Sequence, residues 1–158
     1  MIKVMFVCHG NICRSPMAEM ILKDMVRKRG LAGRFVIASS ATSDEEIYRG
    51  RGNPIYPPAQ TILRQKGIPI EPHRAVQLKK DDYAAYDLFV AMETYNIGGI
   101  YRIFGGDPQQ KVRLLLSYTD APRDVADPWY SGDFETAYRD IFRGCTALLE
   151  YLEQDGKL

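Results

Sequence analysis

The sequence predicts an α/β fold: a single domain with a four-stranded parallel sheet and helices on both faces. Three observations predict it. Short runs rich in apolar and β-branched residues alternate with segments of helical periodicity. Those runs are apolar along their length, as strands covered on both faces are. The 158 residues show no internal repeat, linker or low-complexity segment. Residues 1–158 therefore read as one domain, long enough to bury a real core.

The elements follow in order. Ile2 to Val7 is a short apolar run ending in turn chemistry, and reads as a buried strand. Ser15-Pro16 reads as an N-cap with proline at the first helical position. Ala18, Ile21, Leu22 and Met25 form a stripe at helical spacing, and Arg29-Gly30 closes that helix. Arg34 to Ala38 reads as a second strand. Residues 43 to 58, rich in glycine, proline and charge, read as a long loop. Pro57 or Pro58 opens a helix that ends at Gly67, and the charged piece Lys79 to Ala85 reads as helical. "DLFVAM" at 87 to 92 is the third strand. A weaker helix with an awkward Gly98-Gly99 pair follows, then "KVRLLL" at 111 to 116 as the fourth strand. Ser117 to Gly132 is loop. The last helix starts near Asp133 and carries Ile141, Cys145, Leu148, Leu149 and Leu152 on one face.

Composition narrows the function classes. A net charge of +1 gives no general pull toward nucleic acid or an acidic membrane, so neither is expected as a partner. Any affinity for anions must be local. Three cysteines make no secreted disulfide framework, and the N-terminus lacks the form of a signal peptide. A cytoplasmic protein is expected. No apolar segment approaches the roughly 18 residues that span a bilayer. No cluster of ligands stands at metal spacing and no cofactor motif is present, and Gly-x4-Gly-Lys-Ser/Thr is absent.

The informative stretch is "VMFVCHGNICRSPMAEM", Val4 to Met20. In a parallel sheet, ligands bind at the carboxyl ends of strands, where loops meet helix N-termini. Cys8 ends the first strand, so the loop His9, Gly10, Asn11, Ile12, Cys13 and Arg14 lies where backbone amides are unpaired and the helix dipole is positive. Gly10 lets the backbone turn and leaves room for an anion. Arg14 adds a planar fork that matches two phosphate oxygens. A cysteine in that setting is expected as a thiolate, a nucleophile below a bound oxyanion. The loop after the first strand thus reads as a phosphate loop. Cys8 and Cys13 share it, and so are candidates for a reversible redox pair. An acid that protonates a leaving group is also needed, and Asp120, Asp124 and Asp127 are its candidates.

Cys8-x5-Arg14-Ser15, with its "GNICRSP" string directly after the first strand, resembles the phosphate loop of the low-molecular-weight protein tyrosine phosphatases. "ADPWY" at 126 to 130 resembles that family's motif for its general acid. "SATS" at 40 to 43, "HRAVQL" at 73 to 78 and "DFETAYRDIFRGC" at 133 to 145 match in order and spacing, so the resemblance covers nearly the whole chain. It implies a metal-independent phosphomonoesterase that forms a phosphocysteine. Its partners would be phosphotyrosine-containing proteins or small aryl phosphates, with inorganic phosphate as product and competitive inhibitor. Cys8 would be the nucleophile, Arg14 the phosphate clamp and Asp127 the general acid and base. Trp129 and Tyr130 would wall a slot for the substrate ring. His73, Asn11 and Ser39 would form a network that holds the loop, and Ser15 would hydrogen-bond the nucleophile.

Departures from the pattern carry expectations too. His9 stands where many relatives carry an apolar residue beside the ring. The loop from Asp44 to Tyr56 is longer than in the mammalian members, and Tyr48 is the candidate for their second aromatic wall. Arg49 and Arg51 would meet acidic flanking residues, against the alternative of a solvated charged loop. In relatives that act on phosphoarginine a threonine precedes the second cysteine, whereas Ile12 stands there here. Two other functions remain in view. An arsenate reductase needs further cysteines to pass a disulfide outward, and only Cys145 remains, on a helix face. A phosphocarrier that never hydrolyses needs no positioned acid, against which "ADPWY" speaks.

Overall fold

Strand β1 (Ile2–Cys8) lies in the middle of the sheet and is buried from Val4 onward. The computed structural model describes residues 1–158. Helix α1 (Arg14–Lys28) follows, then β2 (Phe35–Ala41), a small hairpin of β3 (Ile47–Tyr48) and β4 (Arg51–Gly52), and α2 (Pro57–Gln65). The short helix α3 (Asp82–Ala85), β5 (Leu88–Ala91), α4 (Thr94–Phe104) and β6 (Val112–Leu114) come next. The chain ends with the one-turn α5 (Pro128–Ser131) and the long α6 (Phe134–Gln154). The four main strands pair in the order β2-β1-β5-β6, all parallel. Chain order reverses between β1 and β5, so the loop after Cys8 opens at the switch point of the sheet.

Each face of the sheet is sealed. On one face Phe6, Val90 and Ile37 meet Met17, Ile21 and Leu22 of α1 and Ile141, Leu148 and Leu149 of α6. On the other, Met5, Val7 and Phe89 meet Ile100 of α4 and Leu78. Cys145 is fully buried against α1, its sulfur 3.9 Å from the Ala18 carbonyl. Truncating a leucine of this core to alanine costs roughly 2 to 5 kcal/mol.

The structure corrects several expected boundaries. α1 begins at Arg14, with Cys13 at its N-cap position, so Ser15 is inside the first turn and caps nothing. Its hydroxyl is thereby free for another task. β2 runs on to Ala41, three residues past the expected end. β6 stops at Leu114, because Leu115 and Leu116 turn into a 3-10 helix. Both leucines are buried against the α6 side, which the alternation of a strand forbids. The expected loop 43–58 contains the β3–β4 hairpin, and the loop 117–132 contains α5. Gly99 has its reason in packing: a Cβ there would stand 2.9 Å from Thr42 Cγ2. Only glycine lets α4 lie this close to the end of β2. No helix is long and apolar enough to cross a membrane.

Candidate active site

Cys8 is the last residue of β1, and its sulfur is nearly buried at the floor of a cleft of about 670 Å³. The backbone then wraps the sulfur. The Asn11 amide points at it from 3.3 Å and the Ser15 hydroxyl stands 3.0 Å away. The amide donates to the sulfur, and the Ser15 hydroxyl lies within hydrogen-bond reach of it because Ser15 sits within the helix.

The turn itself is made by Asn11 rather than Gly10. Asn11 has φ +60°, while Gly10 keeps an ordinary φ. Asparagine tolerates the left-handed region where its side chain is tied down, and here it is fully buried and tied at both ends. Its Nδ2 donates to Ser15 Oγ at 2.8 Å and Ser39 Oγ at 2.9 Å, and its Oδ1 accepts from the Val76 amide at 3.1 Å. The Asn11 carbonyl lies 3.2 Å from His73 Nε2, and since a carbonyl only accepts, that nitrogen carries the proton. Gly10 serves a close approach instead: a Cβ there would lie 3.1 Å from Glu46 Cγ.

The network continues past the expected residues. Ser39 donates to Glu19 Oε1 at 2.6 Å, and Glu19 is held by Lys23 at 2.7 Å. Ser15, Glu19 and Lys23 repeat at i, i+4 on α1, a spacing that was open to reading.

Arg14 is nearly buried beneath the cleft. Its Nη1 donates to the Val125 carbonyl at 3.1 Å and its Nη2 to Glu93 Oε1 at 2.9 Å. Burial pulls its pKa down, but the Glu93 hydrogen bond and charge outweigh this and hold it above the ordinary value. Two N–H groups are thus used to fix the fork, and the others remain for an anion. Asp127 Oδ2 stands 3.6 Å from Arg14 Nη2, while its Oδ1 accepts from the Trp129 amide at 3.0 Å and starts α5.

The rival acids are occupied elsewhere. Asp124 accepts from both the amide and hydroxyl of Thr94, each at 2.9 Å. Asp120 is an exposed partner of Arg143.

The cleft gathers Cys8, His9, Gly10, Asn11, Ile12, Cys13, Arg14, Asp127, Trp129 and Tyr130 from the expected residues. Ser15, Ser39 and His73 lie behind the loop. Trp129 is braced by the Tyr56 ring at 5.0 Å, and the Tyr56 amide donates to the Ile12 carbonyl at 2.7 Å. Burial first, and then the Cys8 charge, push the Cys13 thiol up to about 12.

Tyr48, expected as a second wall, does not line the cleft. It is 72% exposed on the hairpin, with Arg49 over its ring, because strand alternation turns its neighbour Ile47 inward instead. Arg49 and Arg51 are exposed and outside the lining as well. Glu45, Glu46, Glu93 and Tyr95 line it, and sequence reasoning missed all four. Glu93 and Tyr95 directly follow a sheet strand, the one signal that marked them. Glu45 and Glu46 carried no such mark. No group of three or more His, Cys, Asp or Glu side chains converges as metal ligands do.

A parallel sheet that delivers a cysteine to a backbone amide at its switch point, with an arginine fork and a facing carboxylate, is the arrangement of a cysteine-dependent phosphatase. Within that class the chain matches the family model described as low molecular weight phosphotyrosine protein phosphatase over residues 3–158. The low molecular weight protein-tyrosine-phosphatase YfkJ of Bacillus subtilis is 38% identical, covering 100% of both chains. The Homo sapiens low molecular weight phosphotyrosine protein phosphatase is 36% identical over 152 residues, 93% of each. The crystal structure of YfkJ superposes with a TM-score of 0.90 at 37% identity, covering 98% of this chain and 96% of that one. That of Vibrio vulnificus Wzb in complex with benzylphosphonate gives 0.81 at 26% identity, covering 96% and 99%. The chain belongs to the low molecular weight phosphotyrosine protein phosphatase family.

Proposed function

We propose that this chain hydrolyses phosphotyrosine in proteins, and small aryl phosphates, through a phosphocysteine on Cys8. Cys8 Sγ attacks phosphorus in line, forming the S–P bond as the P–O bond to the aryl group breaks. Asp127 gives its proton to the departing phenolate oxygen. Arg14 and the amides of residues 9 to 14 hold the three equatorial oxygens, where phosphoryl transfer gains most of its stabilisation. Asp127, now a carboxylate, takes a proton from water, which attacks phosphorus and breaks the S–P bond. The Ser15 hydroxyl stabilises the sulfur as it leaves. Inorganic phosphate is released and competes with substrate for the same loop. The loop also carries the redox pair Cys8 and Cys13. The whole chain acts as one domain, and we place it in the cytoplasm.

One observation carries this reading. The Asn11 amide donates to the Cys8 sulfur at 3.3 Å and the Ser15 hydroxyl lies 3.0 Å from it, in the same cleft where Asp127 stands 3.6 Å from Arg14. A nucleophile, an anion clamp and a proton donor share one small volume. The benzylphosphonate named in the complex of Vibrio vulnificus Wzb is an aryl-bearing phosphate mimic, which supports the same ligand class here. The test is turnover of p-nitrophenyl phosphate and of a phosphotyrosine peptide. Cys8→Ser should abolish both while inorganic phosphate still binds. Turnover surviving in Cys8→Ser would overturn the mechanism.

A further inference from the structure

Resting on that reading, we propose that Tyr95, backed by His9, forms the second wall for the substrate's aryl ring, so that the first turn of α4 selects the leaving group. The tyrosine is 67% exposed, yet it lines the cleft. It is not among the residues that α4 buries, which are Asn96, Gly99 and Ile100. Its ring stands beside His9, with centroids 6.3 Å apart at 51°. The His9 imidazole is in turn fixed by Glu45, Nε2 to Oε2 at 3.0 Å. Trp129 instead packs against Tyr56, whose amide donates to the Ile12 carbonyl. The two aromatic groups therefore line the same cleft from different supports, one beside His9 and the other against Tyr56, whose amide holds Ile12.

The backbone under Tyr95 is tied to the phosphate clamp. Glu93, two residues earlier, holds Arg14 at 2.9 Å, and its amide donates to Asn96 Oδ1 at 2.9 Å. Thr94 is bound twice by Asp124. The start of α4 cannot shift without moving Arg14 or the loop before Asp127. A ring presented from such a turn keeps a constant offset from the bound phosphate, which is the requirement for reading a phenyl group attached to that phosphate. Aromatic contact then favours an aryl leaving group over an alkyl one.

Binding without turnover tests this directly. The wild type, Tyr95→Ala, Tyr95→Phe and Tyr48→Ala are titrated by calorimetry with benzylphosphonate and with inorganic phosphate. Tyr95→Ala should weaken benzylphosphonate about two- to tenfold, the range of one aromatic pair. Tyr95→Phe should restore it, Tyr48→Ala should leave it unchanged, and inorganic phosphate should bind equally to all four. Unchanged benzylphosphonate affinity in Tyr95→Ala would overturn the wall, as would an equal loss for inorganic phosphate. A wild type that binds benzylphosphonate through Tyr95 but hydrolyses no phosphotyrosine would leave the wall standing and overturn the phosphatase reading instead.

Discussion

Arg14 donates to the backbone carbonyl of Val125 at 3.1 Å, joining residues 111 positions apart. The anion clamp and the segment that carries Asp127 are therefore one mechanical unit. Val125 is further anchored by its amide on the Met92 carbonyl at 2.9 Å, at the end of β5. A phosphate that seats on Arg14 meets the acid at a fixed offset, and part of the entropy of catalysis is removed at folding.

The acid assignment follows from that unit. Asp127→Asn should lower kcat on aryl phosphates by about two or more orders of magnitude, the range for a lost acid–base group. Asp120→Asn, at an exposed partner of Arg143, should leave kcat within about twofold. Steady-state kinetics on p-nitrophenyl phosphate decide it. A mild Asp127→Asn beside a damaging Asp124→Asn would mean the acid is misassigned.

Asp140 on α6 holds the same segment from the other side. It binds Arg123 through both oxygens, at 2.9 and 2.7 Å, and accepts from the Ala126 amide at 2.9 Å. Burial raises its pKa, but the Arg123 and Ala126 bonds outweigh this and hold it below the ordinary 3.8. A lowered folded-state pKa contributes stability above the unfolded value and loses it as pH falls through the folded one. Asp140→Asn should cost about 1 to 3 kcal/mol near neutral pH. That deficit should shrink as the pH drops below 3.8. Thermal melts of both proteins across acid pH measure it. A deficit independent of pH would show that the charge of Asp140 is not what matters.

Oxidation should spare the enzyme by joining its two loop cysteines. Peroxide oxidises the Cys8 sulfur to a sulfenic acid with release of water, and the Cys13 sulfur then displaces its hydroxyl, released as water, to form the disulfide. Because burial and the Cys8 charge push the Cys13 thiol up to about 12, its own sulfur escapes direct oxidation. Mass spectrometry after peroxide should find the Cys8–Cys13 disulfide, and dithiothreitol should restore activity. Equal recovery in Cys13→Ala would sink the idea.

Ile12 should set the choice between phosphoryl groups. It lines the cleft, and its carbonyl accepts from the Tyr56 amide. An apolar wall leaves a guanidinium nitrogen without a partner, at a cost of roughly 1 to 3 kcal/mol. Phosphotyrosine should therefore be preferred over phosphoarginine by about ten- to a hundredfold in kcat/KM if the cost falls in the transition state. Ile12→Thr should narrow the gap. Peptides of matched flanking sequence provide the comparison, and equal wild-type values would remove Ile12 from the argument.

Local chemistry by itself determined much of this protein. Apolar runs marked the four strands, and proline and glycine marked the ends of the α2 segment. The spacing of Cys8, Arg14 and Ser15 after a strand announces an anion-binding loop. These are features whose causes lie within a few residues of one another, so they can be read along the chain. Tertiary structure alone decided the rest. The left-handed turn falls on Asn11 rather than Gly10 because Ser39 and Val76, from two distant segments, tie its side chain together with the nearby Ser15. Asp127 separates from Asp124 because Thr94, 30 residues away, occupies the latter. Tyr95 rather than Tyr48 reaches the cleft, since parallel pairing of β5 beside β1 brings the start of α4 to the mouth. The hairpin turns Tyr48 to solvent. Long-range pairing sets such positions, and no periodicity along the chain encodes them.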